Sequence, residues 1–168
     1  MFRTRSMLAV GCLAIAPALL AGCGRGPERR LLGRWQMDVE ATVAEIREHL
    51  GEAEEGSPER ALAEAFLAGA EMQQWEYTFR RDGTVRAVVR AHPDRVPGLG
   101  AGVVLHEETG EWEVAEAGEN KLTLRITGGE RQFAHWDNVL HFESDDRLYY
   151  YTGADGAVRE YWVRAGAR

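Results

Sequence analysis

Between Trp75 and Arg90 the chain alternates around a single Asp-Gly, and that pattern leaves little freedom in how it folds. Trp75, Tyr77 and Phe79 alternate with Glu76, Thr78 and Arg80; beyond Asp82-Gly83, Val85, Ala87 and Val89 alternate with Arg86, Val88 and Arg90. A period of two puts successive side chains on opposite faces of a strand, so a slip of one residue would exchange the faces. A two-residue turn at Asp82-Gly83 would set Phe79 opposite Arg86. A three-residue loop, Arg81-Asp82-Gly83, sets Phe79 opposite Val85 and Tyr77 opposite Ala87, so that apolar meets apolar. The alternation therefore predicts that loop, a type I turn closed by a left-handed residue, with Gly83 at positive φ.

The same reading extends over the rest of the chain. Strands are expected at about 31–37, 103–108, 111–116, 121–127, 131–136, 138–143, 147–152 and 157–164. Turns fall at Gly118-Glu119-Asn120, Gly128-Gly129, Asp145-Asp146 and Asp155-Gly156, and residues 93–102, rich in proline and glycine, form a long loop. Short strands joined by tight turns favour an antiparallel meander. About eight of them can close into a barrel that holds a packed core or one small ligand.

Residues 38–72 interrupt this pattern with two amphipathic helices. Asp38 caps a helix with the stripe Val39, Val43, Ile46 and Leu50, ended by Gly51. Ser57-Pro58 opens a second, whose buried face would be Leu62, Ala65, Phe66, Gly69 and Met72. Ten acids against two arginines over this stretch read as the solvated backs of the helices. The fold class is thus mainly β (α+β): an antiparallel meander forming a barrel or half-barrel, with a two-helix insertion after strand one.

The N-terminus carries Arg3 and Arg5, an apolar run from Met7 to Leu20, and then Leu20-Ala21-Gly22-Cys23. This is the form of a secretory signal, and the run falls short of the roughly 20 residues of a membrane span. Leu-Ala-Gly-Cys resembles the lipobox of bacterial lipoprotein signal peptides. The resemblance implies cleavage between Gly22 and Cys23 and acyl chains on Cys23 that hold the protein to a membrane. Residues 1–22 would then be signal, 23–30 the lipidated cysteine and a short tether, and 31–168 one domain. Cys12 would leave with the signal and Cys23 would be consumed by lipid, so the domain rests on packing without a disulfide. The implied location is the cell envelope. Gly24 after the cysteine, where aspartate would retain an inner-membrane protein, allows the periplasmic face of the outer membrane in a Gram-negative source. A net charge of −7 argues against nucleic acid as a partner and against a surface that hugs anionic lipid.

Gly33-Arg34-Trp35 resembles the Gly-x-Trp signature of lipocalins and the wider calycin group. Arg81-Asp82-Gly83-Thr84, Gly110-Glu111-Trp112 and Tyr161-Trp162-Val163-Arg164 extend the likeness, over residues 31–164, to bacterial lipocalin-like lipoprotein domains. That resemblance implies a barrel with Trp35 at its closed end and Arg164 lying across the ring. The helices after strand one depart from true lipocalins, as does the impossibility of their common disulfide.

Catalytic chemistry finds no assembled set. Gly-x-Ser-x-Gly, P-loop and dinucleotide fingerprints are absent, and Ser57 and Ser144 are the only serines after the signal. His106-Glu107-Glu108, His135 and His141 could offer metal ligands, but Asp137-Asn138 reads as a turn or bulge that separates the last two. Neither metal nor cofactor is expected, and the chain does not read as an enzyme. The aromatics carry the remaining information. Trp75, Tyr77, Phe79, Trp112, Tyr149 and Tyr151 either complete a core covered by the helices or line a pocket rimmed by 93–102. The expected function is a non-enzymatic binding module for a small hydrophobic ligand. The alternative is a protein-interaction or envelope-maintenance role through the acidic helical face.

Overall fold

A computed structural model describes residues 27–92, 102–129, 136–152 and 158–166. The signal segment, Cys23, loop residues 93–101, His135 and Asp155-Gly156 lie outside the described residues. Eight strands form the fold: β1 (Gly33–Met37), β2 (Gln73–Phe79), β3 (Thr84–Ala91), β4 (Val104–Ala117), β5 (Lys121–Thr127), β6 (Trp136–Phe142), β7 (Arg147–Thr152) and β8 (Val158–Arg164). Each pairs antiparallel with the next, and β8 returns to β1, so the meander is a closed, lipocalin-like barrel. Helix α1 (Pro27–Leu31) precedes β1, and α2 (Val39–Glu52) and α3 (Pro58–Met72) stand between β1 and β2.

The β2–β3 hairpin has the register that its side-chain pattern demands: Phe79 opposes Val85 and Tyr77 opposes Ala87. Gly83 sits at φ 83°, and the Arg80 N–H donates to the Thr84 carbonyl at 2.9 Å. Asp82 Oδ1 ties the loop by accepting from the Thr84 N–H at 3.0 Å and its hydroxyl at 2.7 Å. Elsewhere two breaks vanish. The strands expected at 103–108 and 111–116 are one strand of 14 residues, because Gly110 pairs with Val85 inside the sheet instead of ending it. Asp137-Asn138 is regular β6, paired in register with Arg125 and Leu124 of β5, and Asp137 meets Arg125 at 3.1 Å.

Residues 27–31, read from sequence as tether and strand, form α1 and plug the closed end. Leu31 is fully buried, and its carbonyl accepts from the Trp35 indole N–H at 2.7 Å. The Arg164 guanidinium lies 4.6 Å over the Trp35 ring. It also donates to the Leu32 carbonyl at 2.8 Å and to Asp146 Oδ1 at 2.9 Å. Gly33 makes room for it: φ is +117°, and a Cβ there would lie 2.9 Å from Arg164 Nη1. Gly33→Ala is expected to cost about 1–3 kcal/mol of stability, through backbone strain and displacement of the guanidinium. Urea unfolding measures it; a cost below about 0.5 kcal/mol would show that the close approach matters little.

At the other end β1 stops at Met37, and α2 takes over along the edge of β8. The Asp38 N–H donates to the Tyr161 carbonyl at 2.8 Å, and the Tyr161 N–H donates to the buried Thr42 hydroxyl at 3.0 Å. Backbone groups that a longer β1 would have paired are thereby satisfied by a helix. Val43 and Ile46 of the expected stripe are buried, while Arg159 of β8 grips Glu45 at 2.7 and 3.0 Å. Asp38 and Ser57 cap their helices, accepting from the Ala41 and Arg60 N–H groups. Gly51 does not end α2, which runs on to Glu52. The Arg60 guanidinium donates to the Leu50 carbonyl at 3.2 Å, so a left-handed glycine cap is not required there.

Candidate functional site

The face of α3 marked apolar by its spacing is packed only in part, with Ala63 and Ala70 in the core and Phe66 lying against it. Leu62, Ala65, Phe66, Gly69 and buried Ala70 border a cavity of about 590 Å³, and Met72 is exposed. Much of the expected buried face therefore meets space. The opposite wall comes from strand ends: Met37 of β1, Gln73, Trp75 and Tyr77 of β2, Asn138 of β6, Tyr150 to Thr152 of β7 and Glu160 of β8. Leu62 and Tyr151, 44% and 46% exposed, mark its mouth.

Among the described residues the floor carries one acid. Glu160 points inward between Val158 and Trp162 on β8 and is buried. Its Oε1 accepts from the Tyr150 hydroxyl at 2.6 Å and from the Trp162 indole N–H at 3.0 Å. Burial pushes the carboxyl up to about 7, against the pull of those two donors. The hydroxyls of Tyr77 and Tyr150 are held far above the usual phenol range, first by burial and then by the charge of Glu160. Tyr77 stacks on Trp162 with centroids 4.5 Å apart, forming the layer between cavity and core.

Below that layer the barrel is filled, with Leu122, Leu124, Ile126, Val85 and Trp35 fully buried. Phe79 lies there, edge-on to Tyr77 at 6.2 Å and to Trp112 at 5.8 Å. The Trp112 indole N–H donates to the Arg80 carbonyl beside the hairpin. Tyr149 faces outward, stacked on His141 at 4.9 Å. Of the six aromatics proposed from sequence, Trp75, Tyr77 and Tyr151 line the cavity; Phe79, Trp112 and Tyr149 do not. Packing order explains the difference, since strand period says which face a ring takes but not how deep it sits. The sequence reading did not single out Glu160, nor place Tyr150 and Trp162 at the site. The signal was there: Glu160 is an acid at a position whose i±2 neighbours, Val158 and Trp162, are apolar. Among the described residues no three His, Cys, Asp or Glu side chains group as metal ligands.

Fold and site define a closed eight-stranded antiparallel barrel whose open end holds an aromatic-walled cavity, an architecture compatible with binding one small ligand. Comparisons with protein-family models, with curated proteins and with solved structures give no match to this chain.

Proposed function

We propose that this protein is a lipid-anchored, non-enzymatic carrier of a small hydrophobic ligand at the bacterial cell envelope. The observation that carries the reading is the apolar face of α3, much of which borders a cavity of about 590 Å³ beside its contacts with the core. That volume lies within the range of sites that enclose small organic molecules. The anchor rests on Leu20-Ala21-Gly22-Cys23 and its resemblance to a lipobox. The alternative, partner binding through acidic helices, has less to support it. Glu45, Glu64 and Glu71 are engaged within the chain, by Arg159, Arg60 and Arg47.

Gly69 gives the direct test. A Cβ there meets nothing within 4 Å, so Gly69→Leu should project into the cavity without a clash. It should also favour the helix by up to about 1 kcal/mol. The variant is expected to fold at least as stably as the parent and to bind the apolar fluorophore phenylnaphthylamine at least about tenfold more weakly, a loss of about 1.4 kcal/mol. Equal fluorescence enhancement in both proteins, or none in either, would overturn the carrier reading.

A further inference from the structure

Resting on that reading, we infer that the ligand has a cationic head, an amine on an apolar body, seated on Glu160 with aromatic rings around it. Glu160 is 6% exposed and is the only acid among the described residues lining the cavity. A buried carboxylate needs a counter-charge or must give up its own charge. Here its two hydrogen-bond donors, Tyr150 and Trp162, are neutral. Arg159, its neighbour in sequence, turns away into the ion pair with Glu45.

Among the described residues no Arg, Lys or His lines the cavity, and none forms an ion pair with Glu160. Its wall contributes neutral Gln73, Asn138 and Thr152, and α3 contributes only apolar side chains. The other acid nearby, buried Glu108 of β4, acts with Glu160 to raise the Tyr77 hydroxyl. His106 Nε2 stands 3.7 Å from Glu108 Oε1. Trp75, Tyr77, Tyr150 and Tyr151 present rings to the same space. A carboxylate within an aromatic wall stabilises an organic cation by charge and by cation–π attraction, and it repels a fatty acid or a phosphate head.

The facing groups that titrate are Glu160 itself, the Tyr77 and Tyr150 hydroxyls and Glu108. Both hydroxyls stay protonated through neutral pH because burial and Glu160 raise them. Ionisation of Glu160 near 7 therefore controls the site's charge. A permanently charged probe should accordingly bind more tightly as pH rises from about 5.5 to 8.

The experiment is calorimetric titration of the delipidated full chain with phenylbutylamine, phenylbutanol and phenylbutyrate, matched in their apolar part, near pH 8. The amine should bind at least about tenfold more tightly than the alcohol or the acid, a difference of about 1.4 kcal/mol. Glu160→Gln should bring the three within about threefold, under 1 kcal/mol. If the acid or the alcohol matches the amine, the cationic head is wrong and the carrier reading stands. If none of the three binds, the carrier reading falls and this inference falls with it. The comparison on the parent protein decides the matter even if Glu160→Gln fails to fold.

Discussion

Truncation of Trp162 to alanine is expected to lower the free energy of unfolding by about 5 kcal/mol. Large aromatic truncations in packed cores cost about 3–5 kcal/mol through lost transfer energy and the cavity left behind. Trp162 is among the most buried side chains, 1% exposed, and its ring forms the stacked layer with Tyr77 at 4.5 Å. Its loss also removes one of the two hydrogen bonds to the buried Glu160, which adds about 1–3 kcal/mol when that group is charged. The two parts separate with pH. The packing loss is the same at every pH, while the hydrogen-bond loss grows as Glu160 ionises. Trp162→Phe keeps most of the ring and drops the donor, so it should cost about 1–2 kcal/mol near pH 8 and less near pH 5. Urea titrations at the two pH values measure both. A total below about 2 kcal/mol for the alanine variant would mean that this layer does not hold the barrel together.

The second large effect is a loss of stability as pH rises through neutrality. Glu160 ionises at about 7 in the folded protein and at the ordinary 4.5 when the chain is unfolded. Between those values the folded state binds the proton more tightly, so the stability it confers is complete below about 4.5 and is lost as pH climbs to 7. Above 7 the fold carries a buried carboxylate with two neutral donors and no cation beside it among the described residues, at a cost on the order of 3 kcal/mol. Other groups titrate over the same interval, so the quantity to measure is the difference between the parent and Glu160→Gln. The variant should match the parent within about 1 kcal/mol near pH 5 and exceed it near pH 8, by several degrees in Tm. Parallel curves for the two proteins would mean that Glu160 does not stay buried and charged. A bound cation should restore much of the lost stability at high pH, because it binds only the folded state.

Much of the local structure was legible because it depends on residues close together in the chain. Gly83 and the Asp82 carboxylate set the hairpin loop from within four residues, and register follows from matching Phe79 to Val85. Asp38 and Ser57 mark helix starts because capping is a bond to an N–H three residues on. Misreadings arose where a residue's local habit was overridden by a distant partner. Gly51 would end a helix in isolation, but Arg60 satisfies a carbonyl at that end. Asp137-Asn138 would turn, but pairing with Arg125 and Leu124 on the adjacent strand keeps both in the ladder. Gly110 would break β4, but its place opposite Val85 keeps it in the sheet.

The candidate site was half legible for the same reason. Alternation says that Trp75 and Tyr77 share a face with Phe79, and all three do turn inward. It cannot say that the first two meet a void and the third a filled core. That division depends on how much volume Trp35, Trp162 and Phe142 occupy across the barrel. Likewise the amphipathic spacing of α3 was plain, but whether that face would meet protein or empty space was not.

Chain order alone therefore determined the strand and turn pattern, the helix starts and the sign of the charge, since these arise from sterics and hydrogen bonds over a few residues. Tertiary structure alone decided that β8 would find β1, that α2 would stand in for the missing length of β1, and that Glu160 would lie buried without a cation among the described residues. Those outcomes depend on side chains about a hundred residues apart meeting in one small volume, and local pattern carries no information about that.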